Sequence, residues 1–257
     1  MRLLIKLGGT LLDQPESRER LAREIAAIAA PGRSETVVVH GGGKQMTRFL
    51  AERGVESRFV NGLRVTTPEI IDAVLKVFAG SVNSQLVAAF RAAGARPVGL
   101  SGLDAGLVDA EILDPELGLV GKPVHSDARL LELLTAGSYL PIVACVAGDT
   151  AGTVYNVNAD QMAVACATAF TAEKLLFLTD VEGVQDSSRR TKTSLTIAEA
   201  KSFIREGIAT GGMQAKLEAA ILALEKGVRE VLIGPGSYPG IVDKMLEHSH
   251  IGTRILT

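Results

Sequence analysis

Residues 36–43 read Thr-Val-Val-Val-His-Gly-Gly-Gly, and residues 3–9 read Leu-Leu-Ile-Lys-Leu-Gly-Gly. Each is an apolar run of strand length that passes straight into glycines, with no polar alternation before the turn. Such runs are expected of strands buried on both faces, as in a parallel sheet covered by helices. Working outward, strand-length runs at 96–100, 139–146, 175–178, 230–233 and 253–256 alternate with segments of helical period. Those helical segments are 17–30, 44–53, 68–93, 126–136, 162–172, 197–206 and 213–227. The alternation predicts an α/β protein, with a mainly parallel central sheet between helical layers.

Two segments stand apart. Asn61-Gly62 inside 58–65 is a strong hairpin signal, and 108–124, punctuated by Gly118, Gly121 and Pro123, reads as a second, irregular hairpin. The polar stretch 187–194 reads as an exposed loop. The glycines around 148–152 mark the expected boundary between a lobe of residues 1–150 and one of residues 151–257.

Composition narrows the function. Of 257 residues 47% are hydrophobic, and 27 Lys and Arg stand against 29 Asp and Glu for a net charge of −2. A near-neutral chain offers no general attraction to nucleic acid or anionic lipid, so any bound anion must be held locally. Two cysteines, Cys145 and Cys166, without CxxC spacing, exclude a disulfide framework and point to a reduced cytoplasm. The start of the chain lacks a signal-peptide pattern, and no apolar run is read as reaching the ~18 residues of a membrane span.

There is no P-loop, GxGxxG fingerprint, GxSxG elbow or HExxH helix. What remains is glycine and lysine. Turns without Cβ atoms let backbone N–H groups converge on an anion, and two such turns at parallel-strand ends would share one sheet edge. Taken singly, either cluster reads equally as a tight turn. Lys6 ends an apolar strand, where a charge implies an anionic ligand, a carboxylate partner or a snorkelling side chain. Lys216 on a helix is by itself a solvated lysine. Asp160 could pair with either lysine, or cap the following helix with Asn158. Arg64 offers a fork for a carboxylate or an exposed cation. His40 is expected to hold the glycine loop by a hydrogen bond rather than act as a base. His125, His248 and His250 form no ligand set, and no metal site is expected.

Five motifs in order, 6–9 (Lys-Leu-Gly-Gly), 40–43 (His-Gly-Gly-Gly), 61–66 (Asn-Gly-Leu-Arg-Val-Thr), 156–160 (Asn-Val-Asn-Ala-Asp) and 212–216 with Gly212-Met213 and Lys216, resemble the amino acid kinase family, specifically its acetylglutamate kinases. The resemblance runs from residue 3 to residues 252–256. It implies an αβα three-layer sandwich and ATP-dependent phosphorylation of the γ-carboxylate of N-acetyl-L-glutamate, the second step of arginine biosynthesis. The first lobe would bind the acyl amino acid and dimerise, and the second would bind ATP, with Mg2+ arriving on the nucleotide.

By motif, Lys6 and Lys216 would stabilise the transition state and Asp160 would hold both lysines. Gly9, Gly42 and Gly43 would grip the phosphoryl group, while Arg64 and Asn156 would bind the acylglutamate. Asp180, Val181, Glu182, Gly183, Val184 and Gln185, with Ile208, Ala209 and Thr210, would line the nucleotide site.

The chain departs from the pattern at Gly211, where many relatives carry an acidic residue, and at Gln214-Ala215, which replaces an apolar pair. Lysine spacing is kept, so these changes bear on nucleotide affinity more than on chemistry. Arginine-inhibited relatives carry an extra N-terminal helix, and with the first strand at residue 2 or 3 the expectation is an arginine-insensitive homodimer. Other acceptors stay open: succinylglutamate, aspartate, carbamate, UMP, or a carrier-linked aminoadipate suggested by 99–104. So does a catalytically silent sensor on the same fold.

Overall fold

A computed structural model describes residues 1–247 and 250–257; His248 falls outside them. The strands are β1 (Arg2–Leu7), β2 (Glu35–His40), β3 (Phe59–Val60), β4 (Leu63–Arg64), β5 (Pro97–Ser101), β6 (Val108–Ile112), β7 (Val120–Ser126), β8 (Leu140–Ala144), β9 (Val146–Gly148), β10 (Val154–Val157), β11 (Lys174–Thr179), β12 (Ser194–Thr196), β13 (Glu230–Pro235) and β14 (Thr253–Leu256). The helices are α1 (Gly9–Leu12), α2 (Pro15–Ile28), α3 (Gly43–Ala51), α4 (Pro68–Val74), α5 (Asn83–Ala92), α6 (Arg129–Ala136), α7 (Ala159–Ala169), α8 (Ile197–Arg205), α9 (Gly211–Glu225) and α10 (Ile241–Leu246).

An eight-stranded sheet in the order β12-β14-β13-β11-β1-β2-β8-β5 forms the middle layer, parallel except for the β13–β14 pair. Its central strands are aliphatic because both faces are covered: Leu3, Leu4, Ile5, Val37, Val38, Val39, Ile142 and Val143 are all fully buried. Helices α2, α5 and α10 pack together on one side, and α6, α7 and α9 lie against the strands on the other. The expected three-layer architecture is therefore present. In this sheet the strands that precede residue 145 meet those that follow residue 173 at the β1–β11 pair.

Register places the site. Leu7 lies beside His40 and Leu178, and His40 beside Ala144. Both glycine turns thus leave the same edge of the sheet, next to each other. The hairpin of β3 and β4 projects separately, with Asn61 at φ 48° and Gly62 at φ 79°. Those positive angles are what a two-residue type I′ turn requires, and Asn-Gly supplies them at least strain.

Several readings need correction. The segment 139–146 is two strands, interrupted at Cys145, and β9 leaves the main sheet. It joins β6, β7 and β10 in a small closed barrel, so the irregular hairpin at 108–124 is half of a larger unit, and the polar run at Tyr155 includes a strand. Helix α6 begins at Arg129 rather than 126, because β7 continues to Ser126 and the Asp127 carboxylate accepts the Arg129 N–H at 3.0 Å. The loop at 187–194 is pinned by a Gln185–Thr191 bridge and ends in β12, and α10 was not read from the sequence at all.

The stretch Pro68–Ala92 also corrects the membrane reading: its 25 residues are helical throughout, with a mean hydropathy of 1.4 over 18 residues, enough in length and composition for a span. Here it is a core helix. Its buried residues Ile70, Ala73, Val74, Val77, Phe78, Val82, Asn83, Leu86 and Phe90 are spaced mostly three and four apart along one face, and residues Leu75–Val82 between α4 and α5 take up π-helical geometry, whose wider turns carry that stripe from Phe78 to Val82. Phe90→Ala, at a fully buried ring, is expected to lower stability by about 3–5 kcal/mol in urea unfolding; a loss near zero would mean that this helix is not docked as described.

Candidate active site

Lys6 leaves β1 into the interior and is only 8% exposed, so the snorkelling alternative does not hold. Asp160 stands in the first turn of α7, 6% exposed, where the helix N-terminus favours negative charge. Asn158 caps that helix, its Oδ1 accepting from the N–H groups of Asp160 and Gln161. The cap is therefore Asn158's, which frees the Asp160 carboxylate. Lys6 Nζ lies 2.7 Å from Asp160 Oδ1, and Lys216 Nζ, from α9, lies 3.6 Å from Oδ2. Burial alone would push the Asp160 carboxyl up. The Lys6 and Lys216 ammoniums outweigh it and hold the group below the usual carboxylate range.

Around this triad the glycine turns crowd together. A Cβ on Gly9 would lie 3.4 Å from the Gly43 nitrogen, and one on Gly42 would meet the Phe78 ring at 2.7 Å. A pocket of about 210 Å3 opens between them, bordered by Lys6, Gly9, Gly42, Gly43, Arg64 and Asn156, among others. Five of the residues singled out by motif thus face one cavity with Lys6.

Arg64 is 7% exposed, and its partners are all neutral: the Ser57 hydroxyl, the Gly43 carbonyl at 3.2 Å and the Thr47 hydroxyl at 2.8 Å. The guanidinium also lies over Phe59, 4.6 Å from the ring centroid. Burial lowers its pKa, and a guanidinium keeps its charge in a protein. A buried cation with only neutral partners and a face on a pocket is suited to an anionic ligand. Asn156 donates from Nδ2 to the Thr66 hydroxyl at 3.0 Å, which aligns its amide on the same wall.

On the far side of the triad, Asp180 follows β11 and accepts the Thr10 hydroxyl at 3.0 Å, which with Lys216 keeps its carboxyl low against the effect of burial. Val181, Glu182, Gln185 and Thr210 are exposed, whereas Gly183, Val184 and Ala209 are buried. Val184 donates its N–H to Thr253 Oγ1 at 2.8 Å. The side chains of Val184 and Ala209 thus belong to the core, leaving only neighbouring surface and backbone to face a nucleotide. Gly211 opens α9 at φ 53°, a left-handed conformation that an acidic residue would adopt only with strain, so this departure has a local backbone reason.

His40 holds its loop as expected: fully buried, its Nδ1 lies 2.8 Å from the Gly41 carbonyl. Burial pushes its pKa down to about 4. Cys145 borders the pocket and Cys166 sits in the core; both are free thiols pushed up to about 12 by burial. Among the described residues no three His, Cys, Asp or Glu side chains gather as metal ligands. Thr10, Thr47, Ser57 and Phe59 were not singled out by sequence, since hydroxyls and one aromatic in loops carry no spacing signal.

Fold and site together define a protein that brings anions to one strand-end edge, and the chain belongs to the amino acid kinase family, whose pattern matches residues 1–235. It is 62% identical over 257 residues to the acetylglutamate kinase of Solibacter usitatus, covering 100% of both chains. It is 41% identical over 253 residues to that of Mesorhizobium japonicum, covering 93% of this chain and 85% of the relative. Among solved structures, N-acetylglutamate synthase from Neisseria gonorrhoeae superposes with a TM-score of 0.88 at 25% identity, over 100% of this chain and 59% of that one. Giardia lamblia carbamate kinase superposes at 0.74 with 18% identity, over 100% and 98%, a likeness of fold.

Asp160→Asn removes the carboxylate that bridges the buried Lys6 ammonium and the partly buried Lys216 ammonium, and is expected to lower stability at pH 7 by about 3–5 kcal/mol. Because the folded carboxyl is held low, its contribution is present above the ordinary carboxylate range and fades as pH falls through the depressed value. The gap between native protein and variant in urea unfolding should therefore close on acidification; a constant gap would show that the carboxylate charge is not the cause.

Proposed function

We propose that this chain transfers the γ-phosphoryl group of ATP to the γ-carboxylate of N-acetyl-L-glutamate, giving the acyl phosphate, in the second step of arginine biosynthesis. The full-length likeness to acetylglutamate kinases supports the acceptor. The observation that carries the chemistry is the pair of ammoniums fixed on Asp160 beside two glycine turns. A glutamyl carboxylate has a pKa near 4.3 and is already a nucleophile at pH 7, so no general base is needed. Two anions must instead be brought in line and their spread charge neutralised. In this reading Lys6 and Lys216 neutralise that charge. Gly9, Gly42 and Gly43 N–H groups hold the phosphoryl oxygens, and Arg64 with Asn156 binds the acylglutamate. Residues 1–150 seat the acceptor. Residues 151–257 seat the nucleotide near 180–185 and 208–210, and Mg2+ enters with ATP, held largely by phosphate oxygens.

The same reading makes the protein a cytoplasmic homodimer joined through its first lobe. Support comes from the sheet's open end: β5 is an edge strand, and beside it Ala79, Val87, Ala88 and Gly99 border a shallow depression of about 790 Å3. An uncovered edge of this kind is a pairing surface.

ADP release with Mg-ATP is expected with N-acetyl-L-glutamate and not with L-glutamate, aspartate, carbamate or UMP. Lys6→Ala and Lys216→Ala should each lower kcat roughly 100- to 1,000-fold. Turnover of N-succinyl-L-glutamate alone would move the acceptor, and no acceptor-dependent turnover would favour a sensor. Light scattering should give twice the chain mass, and a monomer would remove the dimer.

A further inference from the structure

Beside the charged triad, the structure holds a buried neutral chain that the phosphoryl-transfer chemistry does not use. Asn83 Nδ2 lies 2.9 Å from the Ile142 carbonyl, 3.3 Å from the Leu100 carbonyl and 3.0 Å from His40 Nε2. Two of those three partners can only accept, so Asn83 must present its amide N–H groups there rather than its oxygen. The amide nitrogen itself cannot accept, so His40 Nε2 must be the acceptor of one of its two hydrogens, the Ile142 carbonyl at 2.9 Å taking the other, and the ring proton then sits on Nδ1, facing the Gly41 carbonyl at 2.8 Å. One buried amide thus decides the tautomer of one buried imidazole.

The consequence falls on the glycine turn. In a trans peptide the C=O and the next N–H point opposite ways. Holding the Gly41 carbonyl against His40 therefore turns the Gly42 N–H away from the ring. Phe78 crowds Gly42 as well, since a Cβ there would sit 2.7 Å from the ring. Phe78 belongs to the π-helical run that ends at Val82, and Asn83 follows it directly, so one wide helical segment sets both clamps. Gly99 completes the seat: a Cβ on it would lie 2.2 Å from Asn83 Oδ1.

Resting on the phosphoryl-transfer reading above, we propose that His40 and Asn83 are positioning residues that aim the Gly42 N–H at the transferring phosphoryl group, Asn83 by fixing the His40 tautomer and His40 by holding the Gly41 carbonyl. Neither touches substrate. They act through one peptide plane.

Two substitutions separate aiming from packing. In His40→Asn the side-chain amide nitrogen can take the place of Nδ1 and still donate to Gly41, whereas in His40→Gln it can reach only the Nε2 position. His40→Gln is expected to lower kcat about 100-fold and His40→Asn by no more than about 10-fold, the scale of losing or keeping one donor to a developing anion. KM for Mg-ATP should change little in either, and affinity for Mg-ADP with aluminium fluoride should fall in His40→Gln while affinity for Mg-ADP alone holds. Equal losses in both variants, tracking equal falls in thermal midpoint, would overturn the assignment by making the role structural. Nitrogen-15 NMR of the native protein gives a measurement independent of any variant: the proton should be on His40 Nδ1, and a proton on Nε2 would overturn it. Turnover of another acceptor in place of acetylglutamate would refute the acceptor and leave this comparison intact, to be run with that acceptor.

Discussion

One buried carboxylate holds three parts of the chain together. Lys6 comes from β1, Asp160 from the first turn of α7 and Lys216 from α9, and the three meet only because Asp160 accepts both ammoniums. Without it, two desolvated positive charges would stand within reach of each other in a site of low dielectric, where repulsion is strong. With it, the lysines keep their charge and a fixed position, and the site keeps a net positive charge for the anions it is to receive. At 2.7 Å the Lys6 ammonium and Asp160 Oδ1 form a short charge-assisted contact that fixes the ammonium, and a group with three N–H donors has others left for a ligand.

The sheet supplies the rest of the site. A parallel sheet sends its strand ends to one edge, and here that edge carries both glycine turns, Cys145 after β8 and Asp180 after β11. The π-helical run, the Asn83 amide and the His40 ring fix one glycine turn from beneath, and the hairpin of β3 and β4 places Arg64 over it. Each of these is neutral or singly charged, so the charges that couple at this edge are gathered around Asp160.

How much of this the sequence discloses follows from the range of each interaction. Buried parallel strands and their glycine exits are local in sequence, and β1, β2, β11, β13 and β14 could be placed within a residue or two. The small barrel was misread because it is closed by pairings between residues far apart, such as Asn156 with Val120 and Asp109 with Gly148, and none leaves a periodic mark on its own strand. The triad was legible as three residues only through motif order; Lys216 on its helix is indistinguishable from a solvated lysine until α9 is docked. Thr10, Thr47, Ser57 and Asn83 stayed silent, because a single hydroxyl or amide that finds a buried partner has no sequence pattern. The long apolar helix was placed correctly, but its composition alone reaches spanning length, and only its one-sided stripe of buried residues shows that it faces a core.

The chemistry explains why histidine has a supporting place in this fold. A reaction whose nucleophile must lose a proton needs a base poised near pH 7, exposed enough to exchange it. A carboxylate nucleophile needs none, which frees the imidazole nearest the reacting atoms to be buried, neutral and tied at both nitrogens. Burial that would disable a base makes the ring a better strut, because a neutral imidazole with its pKa pushed down to about 4 keeps one tautomer across the physiological range. Charge in this site is concentrated in lysines and arginine, where it meets anions, and the groups that set backbone direction are neutral, where charge would compete with those anions.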